Sequence, residues 1–168
     1  MNILIKEEDI KKKIKELGKE INRDYKNKNP ILIGVLKGAF IFMADLLREL
    51  EIPVEIDFLG ISSYEGKRSS GIVRITQDLS LNIEGRDVIL IEDIIDTGRT
   101  IEYILKNLKT RNPSSIAVCT LLNKKESRIV EVPLTYVGFN IPSVFVVGYG
   151  LDYENRYRNL RDIGVLGC

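Results

Sequence analysis

Residues 88–100 contain carboxylates followed by a cluster of hydroxyl and backbone donors, a combination that suits ligand chemistry. Glu92 and Asp93 stand directly after four aliphatic residues, and Asp96 comes three positions after them. Thr-Gly-Arg-Thr at 97–100 supplies the donors. Carboxylates suit a divalent cation or sugar hydroxyls, whereas N–H groups at the start of a helix suit a phosphate. The segment therefore predicts a site that holds a phosphate beside a metal ion or a sugar.

A purely structural interpretation of the same segment stays open. Asp96 or Thr97 could serve as the N-cap of a helix that begins near Arg99. The tandem acids favour a ligand site, because like charges repel and their burial beside a core strand is costly without a compensating cation or hydroxyls. Gly98 can adopt a positive φ, which would let backbone N–H groups approach a phosphate closely.

Strands that alternate with helices are expected to position these groups. Helices are predicted at 7–26, from after Gly38 to about Leu50, and at 99–108. Strands are predicted at 31–35, 54–61, 72–76, 88–91, 115–122, 134–139 and 144–147, with an irregular tail from Asp152. This alternation is typical of an α/β fold with a mainly parallel sheet flanked by helices. Ligands bind beyond the carboxyl ends of such strands. No repeat or linker is evident, so residues 1–168 are expected to form a single domain.

Composition narrows the class of function. The formal net charge of +1 indicates no global field for nucleic acid or an anionic membrane. No apolar stretch approaches the roughly 18 to 20 residues that span a bilayer. The first residues lack the apolar core of a signal peptide, and the two cysteines make neither a metal motif nor a disulfide framework. A reduced, cytoplasmic protein that binds neither nucleic acid nor membranes is expected.

Histidine is absent from the chain. This absence excludes hydrolases built on a catalytic histidine and any histidine-ligated metal site. Proton transfer must then use Asp, Glu, Lys, Tyr or Cys. Any bound metal would be a hard cation with oxygen ligands, for which magnesium is the first candidate.

The stretch from Glu92 to Thr100 resembles the phosphoribosyl-pyrophosphate motif of type I phosphoribosyltransferases. With Ile94 and Ile95 between the acids, it is similar to the 6-oxopurine branch, the bacterial hypoxanthine-guanine phosphoribosyltransferases. The resemblance covers nearly the whole chain. It implies the type I phosphoribosyltransferase fold, with a small hood built from the N- and C-terminal segments, and a homodimer or homotetramer.

The resemblance also implies a reaction of purine salvage. The 5-phosphoribosyl group of 5-phosphoribosyl 1-pyrophosphate would pass to hypoxanthine, and also to guanine, giving IMP or GMP and pyrophosphate with Mg²⁺ as cofactor. Asp96 would be the general base that accepts the purine N7 proton, while Glu92 and Asp93 would hold the ribose hydroxyls directly or through the metal. The implied substrate-binding stretch consists of Glu92, Asp93, Ile94, Ile95, Asp96, Thr97, Gly98, Arg99 and Thr100, whose last four residues would cradle the 5′-phosphate.

Two further segments match family loops. Leu36-Lys37-Gly38 resembles a first loop whose Leu–Lys peptide can be cis and whose amides hold pyrophosphate, which assigns Lys37 and Gly38. Ser63 and Tyr64 match a loop that closes over the reacting centre and would exclude water. From the residues alone, an ordinary turn and a solvated loop remain alternative interpretations.

The resemblance places the pocket for the acceptor base in the last third of the chain. Lys124 would donate to the purine 6-oxo group, with Lys125 as the alternative if the register slips by one residue. Phe145 would stack on the purine, and the backbone of Val146 would read its edge. Asp152 would lie near the purine 2-position and act as a second magnesium ligand.

Two arginines match residues near pyrophosphate in the family. They are Arg128 and Arg158. The metal ligands that the resemblance implies are Glu92, Asp93 and Asp152. Without the resemblance, the Lys-Lys-Glu-Ser-Arg run at 124–128 would be taken as a solvated face. Phe145 would be taken as a core residue on an apolar strand.

Three other functions share some of these features. A regulator of the same fold that binds nucleic acid would need a basic face, whereas 25 basic and 24 acidic residues balance here. An enzyme of the same fold could act on another base, such as xanthine, uracil or adenine; Lys124 and the pocket at 145–146 favour 6-oxopurines, a class that leaves xanthine open. A nucleotide-binding domain without turnover is disfavoured by the presence of Asp96, Lys124 and Asp152.

Overall fold

The computed structural model describes residues 1–63 and 73–167. Within this part of the chain the helices are α1 (Glu7–Asp24), α2 (Phe40–Arg48) and α3 (Arg99–Lys109). The strands are β1 (Asn2–Ile5), β2 (Ile31–Leu36), β3 (Glu55–Ser63), β4 (Val73–Gln77), β5 (Asp87–Ile95), β6 (Ser115–Asn123), β7 (Tyr136–Asn140), β8 (Val146–Val147) and β9 (Ile163–Val165). The alternation of strands and helices confirms the predicted α/β class.

Six strands form the main sheet in the order β4-β3-β2-β5-β6-β7. All neighbouring pairs are parallel except β3 with β4, which is antiparallel. Strands β2 and β5 are almost wholly buried, which is why they read as continuous aliphatic runs in the sequence. The strand order reverses between β2 and β5, and in such sheets a ligand crevice opens at the carboxyl ends on either side of the reversal.

Helices cover both faces of the main sheet. Helices α1 and α2 share one hydrophobic cluster with one face of β2, β5 and β6, and α3 shares a second cluster with the other face. The buried stripe of α1 is Ile10, Ile14, Leu17, Gly18 and Ile21, at the spacing that the sequence predicts. None of the helices in residues 1–63 and 73–167 is both long and apolar enough to cross a membrane.

A smaller antiparallel sheet, in the order β1-β9-β8, joins the two ends of the chain. It is built from N- and C-terminal segments, as expected for the hood. The expectation of an irregular tail from Asp152 is wrong at Ile163–Val165, which forms β9. A three-residue strand with a central glycine carries no alternating pattern, and its partner β1 lies at the opposite end of the chain.

Strand β5 is longer than the predicted 88–91 and extends to Ile95. Glu92 pairs with Thr120 and Ile95 with Asn123, so the ladder with β6 carries the tandem acids as strand residues. Propensity disfavours acidic residues in strands, yet the neighbouring strand holds them there. The strand predicted at 144–147 is, in contrast, shorter than expected: it spans only Val146–Val147 and belongs to the hood.

Candidate active site

The crevice between β2 and β5 brings the first loop against the acids. The peptide between Leu36 and Lys37 is cis, and Gly38 follows it. A Cβ at Gly38 would overlap the carboxylate of Asp93, so only glycine allows this close approach. The two segments that the sequence assigns to ligand binding are therefore adjacent in space.

Glu92 and Asp93 are buried at the floor of the crevice. The backbone N–H of Asp93 donates to Glu92 Oε1 at 3.3 Å, and that of Ile94 donates to Asp93 Oδ1 at 2.8 Å. Burial, reinforced by the neighbouring charge of Asp93, raises the pKa of Glu92 well above its usual value. Burial also raises the pKa of Asp93. Within residues 1–63 and 73–167, no lysine or arginine forms a salt bridge with either carboxylate.

The donor set at this floor fits a hard divalent cation. Two buried carboxylates with raised pKa values are stabilised as anions by a positive charge, and their oxygens are ligands that Mg²⁺ accepts. The described residues contain no group of three acidic, cysteine or histidine side chains that could hold a metal ion. Mg²⁺ commonly uses one or two carboxylates and completes its shell with water and substrate phosphates. Glu92 and Asp93 fit that mode, whereas Asp152 does not join them in one cluster.

The loop after β5 forms a small cavity beside the start of α3. Gly98 is the N-cap residue, with φ of 89° and ψ of −7°, and a Cβ there would overlap the carbonyl oxygen of Val130. The cavity has a volume of about 120 Å³ and is lined by Glu92, Ile94, Ile95, Asp96, Thr97, Gly98, Thr100 and Ile101. The N–H of Arg99 donates to Thr97 Oγ1 at a long 3.4 Å, but neither Asp96 nor Thr97 occupies the N-cap position. The capping interpretation of Asp96 and Thr97 is therefore wrong, because glycine occupies the cap position.

Asp96 and Lys124 face each other across the carboxyl ends of β5 and β6. Lys124 Nζ lies 3.5 Å from Asp96 Oδ2; the lysine is buried, whereas the Asp96 side chain is 51% exposed. The backbone N–H of Lys124 donates to the carbonyl of Ile95 at 2.9 Å, which extends the strand register by one residue. Lys125 is exposed and begins a 3₁₀ turn. The geometry thus favours Lys124 over Lys125 and contradicts a solvated face at Lys124.

Phe145 is 54% exposed and packs edge-on against Tyr153, with ring centroids 5.8 Å apart and planes at 85°. Its interpretation as a core residue is therefore wrong. Strand β8 begins only at Val146, which is buried, and Phe145 precedes it on the accessible side. An exposed ring next to a buried strand is available to stack on a planar ligand.

Arg158 connects the C-terminal segment to the first loop. Its Nη2 lies 3.2 Å from Asp152 Oδ1, and its Nη1 donates to the carbonyl of Gly150 at 2.7 Å. A Cβ at Gly150 would overlap the carbonyl oxygen of Gly38, so these two glycines pack against each other. The charge of Arg158 also acts to lower the pKa of Asp93, although burial dominates. Arg158 therefore sits at the same crevice as the first loop and the acids.

Two predicted residues of the closing loop are only partly covered by the structure. Ser63 is the last residue of β3, and Tyr64 lies outside the described residues.

Some residues of the site are absent from the sequence predictions. Tyr153, which contacts Phe145, lies in the segment 145–153 that resembles the family's base pocket but is given no role of its own there. Asn123 is buried at the end of β6, where it follows an apolar run and precedes Lys124. A polar residue at the end of a buried strand is the same signal that singled out Glu92, and it could have identified Asn123.

Comparison with known proteins places these features in a family. The sequence profile described as "Phosphoribosyl transferase domain" matches residues 3–154. The chain is 53% identical over 165 residues to a hypoxanthine-guanine phosphoribosyltransferase of Streptococcus agalactiae and 51% identical to one of Streptococcus pyogenes. Each match covers 98% of this chain and 92% of the relative. The crystal structure of a hypoxanthine-guanine phosphoribosyltransferase from Bacillus anthracis superimposes with a TM-score of 0.95 at 42% identity, covering 99% of both chains. These matches confirm the resemblance that the motifs indicate.

Proposed function

The chain belongs to the phosphoribosyl transferase domain family, and on that premise we propose a reaction for it. The enzyme transfers the 5-phosphoribosyl group of 5-phosphoribosyl 1-pyrophosphate to hypoxanthine and guanine, and releases pyrophosphate with IMP or GMP. The relatives from Streptococcus carry the name of this activity. The observation that carries the proposal is the pair of Lys124 and Asp96, set 3.5 Å apart at the crevice.

A 6-oxopurine presents its oxygen O6 and its N7–H as neighbours on one edge. Lys124 is only a donor and a carboxylate is only an acceptor, so the pair can contact both groups at once. Lys124 polarises O6, which acidifies N7–H, and Asp96 accepts that proton as N9 attacks C1′ of the ribose and the C1′–O bond to pyrophosphate breaks. An adenine amino group would face the ammonium donor-to-donor, so the same pair disfavours adenine.

The phosphoribosyl donor fits the rest of the crevice. Thr97, Gly98, Arg99 and Thr100 hold the 5′-phosphate in the cavity at the start of α3, because the first backbone N–H groups of a helix have no partner within the helix. Glu92 and Asp93, at the floor, accept hydrogen bonds from the ribose hydroxyls. Phe145 and the backbone of Val146 hold the purine plane at the opposite side.

Pyrophosphate leaves with a high negative charge, which the chain must stabilise. Arg158 supplies a cation at the first loop, and the amides of Lys37 and Gly38 supply donors there. Arg128 adds positive charge beside the phosphate loop, which is the segment 96–100 after β5. Ser63 and Tyr64 belong to the segment proposed to exclude water from the reacting ribose.

We include Mg²⁺ as the cofactor of this reaction. Glu92 and Asp93 would hold it with the substrate oxygens, and Asp152 would contact a second ion. When bound, the metal neutralises charge on the leaving pyrophosphate. Asp152 is paired with Arg158 in the structure, so a metal there would compete with that ion pair.

We also propose that the chain folds as a single domain, acts on small molecules in the cytoplasm, and assembles as a homodimer or homotetramer. Family membership supports the assembly, and the two cysteines without a disulfide pattern support a reducing compartment. Light scattering coupled to size-exclusion chromatography would give a mass of two or four chains, whereas a monomer would contradict the proposed assembly.

The proposed function is tested by nucleotide formation. Purified protein is mixed with the phosphoribosyl donor, Mg²⁺ and hypoxanthine, guanine, xanthine, adenine or uracil in parallel. We expect IMP and GMP from the first two bases and little or no product from adenine and uracil. Product from adenine but not from hypoxanthine would contradict the assignment of Lys124 to the 6-oxo group.

A further inference from the structure

The side chain of Asn123 is buried at the carboxyl end of β6, between two parts of the site. Its register partners are Ile95 on β5, which precedes Asp96, and Asn140 on β7. Its backbone carbonyl accepts from the N–H of Ile141 at 3.0 Å. Asn123 therefore lies where the phosphate loop and the segment that leads to the base pocket come together.

The amide of Asn123 is held by two side chains at once. Its Oδ1 accepts from Arg128 Nη2, and its Nδ2 donates to Asn140 Oδ1 at 2.9 Å. A guanidinium can only donate, so the contact with Arg128 assigns the oxygen of the amide and leaves its nitrogen for Asn140. The buried amide thus has a defined orientation.

Arg128 carries this arrangement to the phosphate loop. Its Nε donates to the backbone carbonyl of Asp96 at 3.2 Å, and its Cδ lies beside Gly98. The residues after it continue the contact, because the N–H groups of Ile129 and Val130 donate to the carbonyl of Thr97 at 2.9 and 3.0 Å. The guanidinium forms no salt bridge within residues 1–63 and 73–167, and Asn123 is the side chain that anchors it there.

We propose that Asn123 is a positioning residue, which acts through Arg128 to hold the backbone of Asp96 and the phosphate loop in place for the phosphoribosyl donor. The roles of Asp96 and of the loop in this statement rest on the proposed function. Asn123 does not itself contact the reacting atoms. Backbone hydrogen bonds from Lys124 N–H to the Ile95 carbonyl and from Ile141 N–H to the Asn123 carbonyl do not involve its side chain.

Asn123→Leu tests the role with a side chain of similar size that cannot bond Arg128 or Asn140. We expect the KM for the phosphoribosyl donor to rise about tenfold, the loss that one charge-assisted hydrogen bond produces. The KM for hypoxanthine should change less than about twofold, because the backbone hydrogen bonds of Lys124 and Ile141 near the base pocket do not depend on the Asn123 side chain. A general packing defect would not separate the two KM values in this way.

Asn123→Asp is the conservative variant. A carboxylate accepts from Arg128, and it also accepts from Asn140 once that amide turns over. We expect the KM of Asn123→Asp for the phosphoribosyl donor to lie within about threefold of wild type, because most of the hydrogen bonding that Asn123→Leu loses is restored. Asn22→Leu is the matched control, because Asn22 also bridges two groups, the carbonyl of Glu49 and the N–H of Glu51, away from the crevice. It should lose stability without changing either KM.

Hydrogen exchange of the peptide that contains residues 96–101 gives a readout independent of turnover. We expect faster exchange there in Asn123→Leu, and wild-type exchange in Asn123→Asp and Asn22→Leu. Unchanged exchange and an unchanged donor KM in Asn123→Leu would overturn the positioning role. If wild-type protein made no nucleotide, the proposed function would fail, and the exchange data alone would decide whether Asn123 holds the loop.

Discussion

Three carboxylates lie close together on β5 and the loop after it, yet their surroundings differ. Glu92 and Asp93 are buried on the strand, and burial raises both pKa values, so they suit a role in which a cation or hydroxyl groups compensate their charge. Asp96 is half exposed and faces Lys124. These environments support the proposed division between a pair for ribose and metal and a separate proton acceptor.

The contribution of the Lys124 side chain to hypoxanthine turnover can be measured directly. Lys124→Met keeps the aliphatic length and removes the donor to the purine oxygen. We expect kcat/KM for hypoxanthine to fall about 10- to 100-fold, the range for a lost hydrogen bond to a charged group. The KM for the phosphoribosyl donor should change little.

Lys125→Met is the matched control, because this lysine is the exposed neighbour at the same turn. Its kinetics should equal those of wild type. A large loss in Lys125→Met with little effect in Lys124→Met would show that the register of the base contact is shifted by one residue.

The elements explain which parts of the molecule the sequence could predict. The continuous aliphatic runs of β2 and β5 and the helical periodicity of α1 are local signals, and the sequence predicts these elements from them. Strand β9 and the exposure of Phe145 depend on contacts with distant residues, and local pattern cannot report them. The strand position of Glu92 and Asp93 also depends on a neighbour, since β6 runs alongside them.

The contact between β7 and the end of α1 leads to a prediction on pH. Tyr136 is buried on β7, and its hydroxyl donates to Asp24 Oδ2 at 2.6 Å. Burial, with help from this hydrogen bond, raises the pKa of Tyr136 far above its usual value. The unfolded chain ionises near pH 10 while the native phenol stays protonated. The stabilisation from Tyr136 is therefore complete below about pH 10 and is lost as the pH rises above it.

Tyr136→Phe should lower the free energy of unfolding by about 1 kcal/mol at pH 8, the typical value of one hydrogen bond. The variant should then lose less stability than wild type between pH 8 and pH 11. Urea unfolding at both pH values measures this difference. Tyr103→Phe, at an exposed tyrosine of α3, is the control and should behave as wild type. Parallel losses in wild type and Tyr136→Phe would contradict the argument.

For the whole molecule, the balance of charge distinguishes an enzyme from a regulator that binds nucleic acid. The chain has 25 basic and 24 acidic residues, so its formal net charge of +1 is small beside the strongly positive charge that drives nonspecific binding to phosphate backbones. We expect no retention on immobilised DNA or RNA at about 50 mM salt, a concentration at which such binding is strong. Retention that decreases steeply with salt would instead favour a nucleic-acid-binding role.

We propose that this crevice transfers a phosphoribosyl group to a 6-oxopurine with Asp96 as the base. The most direct measurement is pyrophosphate release on addition of hypoxanthine to protein, donor and Mg²⁺, compared between wild type and Asp96→Asn. Wild type should release one pyrophosphate for each IMP formed. The variant should lose about 100-fold or more in kcat, the range for general base catalysis, while its affinity for IMP stays close to wild type. Absence of pyrophosphate release from wild type with hypoxanthine or guanine would contradict the account.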